Sequence, residues 1–554
     1  MKLWATEQNR KDFYIDLFSQ QYHDSTWMKK THNDIKRYIK ANKSCKQWQK
    51  CDEQASSDRD RGNEYFRKHM FRVAIDYYNK SLCFAKNGST NIHLAYSNRS
   101  ACFFNMKMYS NCLIDIELAI KYGYPENLIH KLIVRRDDCI RLIAAGELIS
   151  EATEPKLDFR PNSNVPFLAD TIKCHINHNN KICFVANDDL NVGQIIVREP
   201  SYFGESFLGK YAQCNICMKS STNLVPCETC TVAMICNESC MKEAELHDRE
   251  CAIKPYVIIT NSHEINYQMS LIRSISMATK LFTHINGLIA FVRKSLTTKL
   301  AHHESIDLSD PKGKYAMFLR LHANKMTKED IPVVWSYYMT IMNQTSFSTI
   351  FKSPKQKRFL QHLIMQHFLI MNGGAMNHRS QYYHAGQEPT PYEIHLNLLP
   401  TMFQHSCEPN VMFLLDNGSI KGVVLRPIQP GDQLTVNRLG IVPEHRTDVP
   451  KLLAHIGAVC YCDRCESHDD NVPENKYLQR DPDFIKINVN KNHETVDYNE
   501  DESKELEKTC ILLLEKYGRI SWCKEIDIIS RIYRLTLVHR DLFFDSPIYY
   551  LFRQ

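Results

Sequence analysis

The residues best able to do chemistry are soft metal ligands crowded into one short segment. Within 38 residues the chain has the spacing CxxC, nine residues, CxxC, five residues, CxxxC, six residues and HxxxC. These eight ligands are Cys214, Cys217, Cys227, Cys230, Cys236, Cys240, His247 and Cys251. Thiolate and imidazole prefer Zn²⁺ to hard cations, and eight of them complete two tetrahedral sites. Because so short a segment buries little apolar surface, we expect the metal to stabilise its fold.

A second group of cysteines lies far downstream. Cys460, Cys462 and Cys465 form CxCxxC, three ligands that need a fourth, and Cys407 in QHSCEPN is the candidate. One ion shared across a gap of 53 residues would clamp two distant segments together. Spacing alone leaves open whether this third site forms.

Two stretches upstream of the ligands align with each other at an offset of 38 residues. The matched positions are Gly62 with Ser100, Tyr65 with Phe103, Ala74 with Cys112, Tyr78 with Ile116, and Ser81 with Ala119. Small residues recur where helices cross closely, so each copy predicts one helix pair, and the pattern resembles the tetratricopeptide repeat. A third pair is predicted from near Glu126 to beyond Arg135.

The composition indicates a large globular chain. Its 554 residues are 43% hydrophobic and 24% charged, which permits several domains. A net charge of +6 is small for this length, so nucleic acid is not expected as a partner. We expect no membrane partner and no secretory signal, because the apolar runs are short. The 21 cysteines are then expected to be reduced, in the cytoplasm and nucleus.

The order of these pieces resembles the SET and MYND domain family of protein-lysine methyltransferases, over about residues 56 to 470. The repeats in front make the chain most similar to the tetratricopeptide-containing member of that family. The eight-ligand segment resembles the MYND finger. That resemblance assigns Cys214, Cys217, Cys236 and Cys240 to one ion, and Cys227, Cys230, His247 and Cys251 to the other. It also implies that Cys407 completes a third zinc site with Cys460, Cys462 and Cys465.

The residue patterns and this resemblance together imply an α+β multidomain fold. It comprises helical tetratricopeptide-like repeats, a β-rich SET domain split by a MYND zinc finger, and a helical C-terminal tail. The predicted units are an N-terminal helical segment (1–55), the repeats (56–145), a linker (146–165), the first part of the SET domain (166–213), the MYND finger (214–251), a helical insertion (252–370), the second part of the SET domain (371–449), a post-SET zinc cluster (450–466), a polar linker (467–503) and C-terminal helices (504–554).

The resemblance implies a cofactor as well as zinc. SET domains of this family bind S-adenosylmethionine and direct a deprotonated lysine amine through a narrow channel to its methyl group. Carried over position by position, the family's inner asparagine corresponds to Asn372 in FLIMNGG. Gln404 and His405 correspond to its cofactor-contacting pair, and Asn180 and Lys181 lie in the turn that opens the domain.

Several positions depart from the family pattern. The opening turn has no glycine, and Gln404 replaces an asparagine. Arg438 stands where the family has its channel tyrosine, and Ala458 where it often has an aromatic residue. A guanidinium about 5 Å from the cofactor's sulfonium would be repelled by roughly 3 kcal/mol at an effective dielectric constant near 20. Tyr461, beside a zinc ligand, is an alternative channel residue.

The catalytic residue is therefore left unassigned, and two functions remain open. The first is an S-adenosylmethionine-dependent protein-lysine methyltransferase that acts on lysines of histones or other proteins. The second is a catalytically degraded scaffold that acts as an adaptor through the finger, which would bind a peptide ligand, and through the repeats.

A set of polar residues in the repeats resembles the clamp with which some tetratricopeptide domains hold the acidic C-terminal tail of cytosolic chaperones. The set is Arg59, Asn63, Asn98, Lys131 and Arg135. Spacings of i and i+4 put the first pair and the last pair each on one helix face, and arginine and asparagine bind carboxylates well. The alternative is that these residues are simply solvated.

Overall fold

The structure is a computed structural model of the 554-residue chain. It describes residues 49–146, 156–176, 182–206, 211–219, 223–236, 240, 245–251, 262–297, 306–327, 330–379, 393–439, 453–454, 458–460, 462, 465, 473–488 and 500–539.

The described chain begins with a stack of antiparallel helices, called here the repeat helices. They are α1 (Asp52–Arg67), α2 (Phe71–Phe84), α3 (Thr90–Asn105), α4 (Tyr109–Lys121) and α5 (His130–Ala144). A Cβ atom on Gly62 would lie 2.5 Å from the Tyr78 ring, so the close crossing of α1 and α2 requires glycine there. The two predicted helix pairs are present, and the third unit consists, within the described residues, of the 3-10 helical turn Glu126–Leu128 and α5. The N-terminal segment predicted as helical lies outside the described residues up to position 48.

Most of the strands form what we call the sheet body. They are β1 (Ile172–Ile176), β2 (Ile182–Ala186), β3 (Ile195–Pro200), β4 (Phe203–Ser206), β7 (Met376–Arg379), β8 (Glu393–Leu396), β9 (Gln404–His405), β10 (Val411–Asp416), β11 (Ser419–Val424) and β12 (Thr435–Val436). Their sheets have the orders β1-β2, β3-β11-β10-β12-β9 and β4-β8-β7. The hairpin β10–β11 turns at Asn417 and Gly418, which have φ of 39° and 76° and are the residue types that such turns favour.

Two further groups of elements interrupt the sheet body. The finger, residues 214–251, contains the hairpin β5 (Val225–Pro226) and β6 (Met234–Ile235) and the helix α6 (Glu245–Cys251). The helical insertion follows with α7 (Ser262–Lys280), α8 (Ile285–Thr297), α9 (Pro311–Arg320), α10 (Asp330–Met342), α11 (Thr345–Ser348) and α12 (Pro354–Ile370). A π-helical turn, Met371–Ala375, leads from α12 into β7.

The described chain ends in a helical unit that packs on the sheet body. The short helix α13 (Leu399–Met402) belongs to the sheet body, directly before β9, and the helices of the C-terminal unit are α14 (Lys476–Gln479), α15 (Pro482–Asn488), α16 (Glu500–Tyr517) and α17 (Lys524–His539). The last four share a buried cluster with Met412 and Leu414 of β10. Arg426 donates to the carbonyls of Gly518 and Ile520 at 2.5 and 2.9 Å. The segment predicted as a polar linker therefore contains two short helices, because their apolar side chains have the sheet body to pack against.

Among the described residues, no single helix is long and apolar enough to cross a membrane. The segments Tyr267–Lys280 and Ile285–Thr297, bent by 106° at the break between them, meet the length and composition criteria only when they are taken together.

The described residues fold into an α+β protein, as predicted, with apolar cores that cross the sequence boundaries. The sheet body and the helical insertion share one buried cluster. The repeat helices and the finger share another, in which Leu224 and Met234 of the finger pack with helix residues such as Tyr96. The finger is therefore part of the hydrophobic core of the repeats.

A buried arginine closes the junction between the repeat helices and the finger. Arg99 on α3 is 0% exposed and donates to both carboxylate oxygens of Asp115 at 2.6 and 2.7 Å. It also donates to Asn79 Oδ1 at 2.5 Å and to the carbonyl of Leu224 in the finger at 2.8 Å. Burial disfavours the charge, but the Asp115 carboxylate more than offsets this and keeps the pKa of Arg99 above its usual value.

The substitution Arg99→Met tests this junction. It leaves the Asp115 carboxylate buried without its cation, so we expect the free energy of unfolding to fall by about 3–5 kcal/mol. Urea unfolding followed by circular dichroism measures the change. Arg136→Met is the matched control, because Arg136 and its partner Asp137 are 45% and 64% exposed and the pair should contribute less than about 1 kcal/mol. Equal losses in the two variants would contradict the assignment.

Candidate metal centres and cofactor site

The first candidate metal centre joins the CxxC pair at the start of the finger to Cys236 and Cys240. Sγ of Cys236 lies 3.7 Å from Sγ of Cys217 and 3.7 Å from Sγ of Cys240, and Cys214 completes the set. Four sulfurs at about 2.3 Å from a tetrahedral zinc ion would be about 3.8 Å apart. The observed separations therefore fit one zinc ion at the centre of the four.

The second centre is interleaved with the first along the chain. Sγ of Cys227 lies 3.7 Å from Sγ of Cys251, and Sγ of Cys230 lies 3.4 Å from Nε2 of His247. The slightly shorter second distance is expected, because zinc–nitrogen bonds of about 2.1 Å are shorter than zinc–sulfur bonds. The α6 helix supplies both His247 and Cys251, four residues apart and so on one face.

The third centre brings together residues that are distant in sequence. Sγ of Cys407 lies 3.8 Å from Sγ of Cys460 and 3.6 Å from Sγ of Cys465. Cys462 completes the set, with its Sγ 3.2 Å from that of Cys460. Thiolates this close repel one another strongly unless a cation lies between them. The chemistry and spacing of the donors thus fit zinc at all three centres.

The finger is fastened to the sheet body by a second buried arginine. Arg273 on α7 donates to Glu250 Oε2 at 2.7 Å, to the carbonyl of Asn215 at 2.6 Å and to the carbonyl of Gly204 at 2.9 Å. The turn of the β10–β11 hairpin also touches the finger, since a Cβ on Gly418 would lie 2.5 Å from the carbonyl oxygen of Cys217. The first zinc loop is therefore held by the helical insertion and by the sheet body.

A buried carboxylate positions the strand that leads to the third centre. Glu199 accepts from the backbone N–H groups of Leu398 at 2.7 Å and Leu399 at 3.0 Å. Burial raises the pKa of Glu199 to about 7, against the effect of these two bonds. Helix α13 starts at these N–H groups, and β9 with Gln404 and His405 follows it directly.

The structure places one predicted cofactor residue, Gln404, beside the first residue of β2. Gln404 Nε2 lies 3.5 Å from the carbonyl oxygen of Ile182, the first residue of β2. Asn180 and Lys181 themselves lie outside the described residues, as does Tyr461. The side chain of Gln404 therefore points toward the strand that follows the predicted cofactor turn.

His405 is held by contacts on both ring nitrogens. Its Nδ1 accepts from the backbone N–H of Arg438 at 3.1 Å, and its Nε2 lies 3.6 Å from Sγ of Cys407. Burial lowers the pKa of His405 to about 4, so the ring is neutral at physiological pH. Because a backbone N–H can only donate, the ring proton resides on Nε2 and faces the zinc ligand. Both ring nitrogens of His405 are therefore engaged within the protein, and the predicted cofactor contact would have to use its backbone.

Arg438 is partly buried beside His405. Burial lowers the pKa of Arg438, and its positive charge contributes to the lowered pKa of His405. The structure therefore places Arg438 beside His405, in a partly buried position. Ala458, at the position where the family often has an aromatic residue, packs in the buried cluster around Cys407.

Asn372 has two partners that the sequence did not indicate. Its Oδ1 accepts from the hydroxyl of Tyr267 on α7, and its carbonyl accepts from Asn324 Nδ2 at 2.7 Å. These residues are 105 and 48 positions away. No spacing rule connects them. The burial of Arg99, by contrast, has a sequence signal, because Arg99 falls on the same helix face as Ala95 and Phe103.

The predicted clamp residues are partly brought together. Asn63 Oδ1 accepts from Asn98 Nδ2 and from the Tyr78 hydroxyl, both at 2.9 Å. Arg135 donates to the carbonyl of Ser97 at 3.0 Å and to Ser100 Oγ at 2.7 Å, so it lies against the helix that carries Asn98. Arg59 donates weakly to Asn91 at 3.4 Å, and Lys131 is exposed.

Comparison with known proteins agrees with this arrangement. No family model matches the chain. Several vertebrate proteins named protein-lysine N-methyltransferase SMYD4 do, among them that of Danio rerio, with 26% identity over 228 residues covering 37% of this chain and 30% of the relative. Over about a third of its length the chain is therefore similar to the SET and MYND domain family. A SET domain-containing protein of Acanthamoeba polyphaga mimivirus is 36% identical over 67 residues, 12% of this chain and 26% of its own. The E3 ubiquitin-protein ligase TTC3 of Mus musculus is 36% identical over 77 residues, 14% of this chain and 4% of its own.

The match to the zebrafish protein spans less than a third of that protein's length. This similarity covers part of each protein, so the activity, substrates and partners of this chain have to be argued from its own residues.

The three centres predict the metal content of the protein. We expect elemental analysis of purified, untagged protein to find three zinc ions per chain, and Cys407→Ser to reduce this to about two, because three remaining ligands bind zinc much more weakly. Cys51→Ser is the control, since Cys51 is partly exposed and outside all three clusters. A Cys407→Ser protein that still carries three ions would refute the third centre.

Proposed function

We propose that this chain is an S-adenosylmethionine-dependent protein-lysine N-methyltransferase acting on lysines of histones or other proteins. Its domain organisation would be a SET domain split by the MYND finger at residues 214–251 and by the helical insertion at 252–370. The observation that carries the proposal is the position of Gln404, whose side chain reaches Ile182 beside the predicted cofactor turn. The family relationship supports it, and reduced thiolates for zinc are consistent with the cytoplasm and nucleus.

S-adenosylmethionine, when bound, supplies an electrophilic methyl group for the amine of a lysine. The residues of this chain that would hold it are Asn372, Gln404 and the backbone of His405. Asn372 is exposed and its carbonyl is fixed by Asn324, so its amide can meet a ligand without rearrangement. The third zinc centre keeps β9 against β12 and so preserves the position of Gln404.

The alternative function is a degraded SET and MYND scaffold that acts as an adaptor. The partly buried Arg438 favours it, because a guanidinium directed inward would repel both the sulfonium of the cofactor and the ammonium of a substrate lysine. In this alternative, a peptide ligand of the finger would have to use a face that the repeat helices and α7 leave uncovered.

Calorimetric titration of the zinc-replete protein with S-adenosylmethionine separates the two functions. Binding with a micromolar dissociation constant is expected of the enzyme, and the absence of binding favours the adaptor. The titration needs no knowledge of the substrate.

The role of Arg438 is tested by restoring the family's residue. We expect Arg438→Tyr to raise incorporation of labelled methyl groups into a mixed protein extract by at least tenfold, because it removes the repulsion and supplies a positioned hydroxyl. Arg480→Tyr, at an exposed position, is the matched control and should change nothing. No rise above the control would mean that Arg438 does not limit the reaction.

We also propose that the repeats bind an acidic C-terminal peptide such as the tail of a cytosolic chaperone. The contact between Asn63 and Asn98 supports this, because it gathers the amides of two repeats at one place, with Arg135 against the same helix. The oxygen of Asn63 is engaged by Tyr78, which leaves its amino group for a carboxylate.

Fluorescence anisotropy with a peptide ending in Glu-Glu-Val-Asp tests the clamp. A micromolar dissociation constant is expected, weakened at least tenfold by Asn63→Ala or Lys131→Ala and by amidation of the peptide's C-terminus, since each removes a charge-assisted bond. Lys121→Ala, an exposed lysine on α4, is the control. Equal affinity of the free and amidated peptides would argue against carboxylate recognition.

A further inference from the structure

Residues of the helical insertion bind both the side chain and the backbone of Asn372. The Tyr267 hydroxyl donates to its side-chain oxygen, and Asn324 Nδ2 donates to its backbone carbonyl at 2.7 Å. Asn324 is itself fixed, because its backbone N–H donates to the carbonyl of Leu369 at 3.0 Å. Both acceptors of Asn372 are thus engaged by residues outside its own turn.

Tyr267 is a well-fixed donor. Its ring packs edge-on against Phe368 at a centroid distance of 6.1 Å, and Phe368 packs in the same way against Tyr337 at 6.1 Å. Burial raises the pKa of Tyr267 well above its usual value, so the hydroxyl keeps its proton and can donate at any physiological pH.

The helix that carries Tyr267 is immobilised on both sides. Six residues further along α7, Arg273 is bound to Glu250 and Asn215 of the finger. Next to it, Ser274 Oγ lies 2.8 Å from Nδ1 of the buried His367 on α12. Since α12 leads directly into the turn with Asn372, Tyr267 and Asn372 are on two elements that are locked to each other.

We propose that Tyr267 is a positioning residue of the cofactor site, which orients the carboxamide of Asn372. With the oxygen turned to the Tyr267 hydroxyl, the amino group Nδ2 faces the exposed side, where it donates to an acceptor of the ligand such as a carboxylate or ribose oxygen of S-adenosylmethionine. The flipped amide would replace this acceptor of the hydroxyl by the more distant carbonyl oxygen of Phe368, at 3.5 Å. This inference rests on the proposed function. It assigns a role to Tyr267, which is 105 positions from Asn372 in the sequence.

A double-mutant cycle read out by calorimetric binding of S-adenosylmethionine tests the proposal. We expect Tyr267→Phe to raise the dissociation constant about tenfold. Asn372→Asp keeps the oxygen facing Tyr267 but loses the donor, so it should weaken binding at least as much. In the Asn372→Asp background, Tyr267→Phe should then have little further effect. Tyr338→Phe on α10 is the matched control and should bind like the wild type.

The outcomes separate this proposal from the proposed function. If the wild type binds no S-adenosylmethionine, the proposed function and the positioning role both fail. If it binds but Tyr267→Phe equals the control, or if the two substitutions act additively, only the positioning role fails. The melting temperature of each variant is measured alongside its affinity. If affinity falls together with melting temperature in Tyr338→Phe as well as in Tyr267→Phe, the role of Tyr267 is purely structural.

Discussion

The architecture depends on thiolates being held at about 3.7 Å from one another. Without a cation, four thiolates at this distance repel one another, and this repulsion opposes the folded arrangement of the segments that carry them. With zinc, the two centres of the finger cross-link a segment that is too short to form its own core. The third centre ties Cys407 to a loop more than fifty residues away and so fixes the end of β9. The position of the candidate cofactor residues on β9 therefore depends on metal binding at the third centre.

The finger acts as a joint between the repeat helices and the sheet body. Arg99 reaches it from one side and Arg273 from the other, and each of these buried cations is matched by a buried carboxylate and by backbone carbonyls of the finger or of its neighbour. Arginine suits this role because its planar fork satisfies several acceptors while remaining charged. A buried ion pair adds little to stability compared with apolar packing, but it tolerates no misplacement, so it favours one relative arrangement of the parts it joins.

Helix α7 extends this arrangement to the candidate cofactor site. It carries Arg273 against the finger, Ser274 against α12 and Tyr267 against Asn372. A disturbance of the finger's zinc loop would therefore be felt at Asn372 through a single rigid element. This gives the finger a structural role in the candidate site.

Much of this protein was determined by short-range signals in its sequence. The ligand spacings identified the zinc-binding cysteines, the 38-residue offset predicted the helix pairs, and turn chemistry at Asn417 and Gly418 matched a tight hairpin, because each depends on residues close together in the chain. The segment predicted as a polar linker contains short helices around Lys476, since these helices are stabilised by a sheet surface formed elsewhere. Only the tertiary structure decided that Cys407 meets the CxCxxC cysteines, that the backbone N–H of Arg438 binds His405 and that Tyr267 binds Asn372. Those contacts join residues 33 to 105 positions apart, and long-range packing, which no local pattern encodes, selects them.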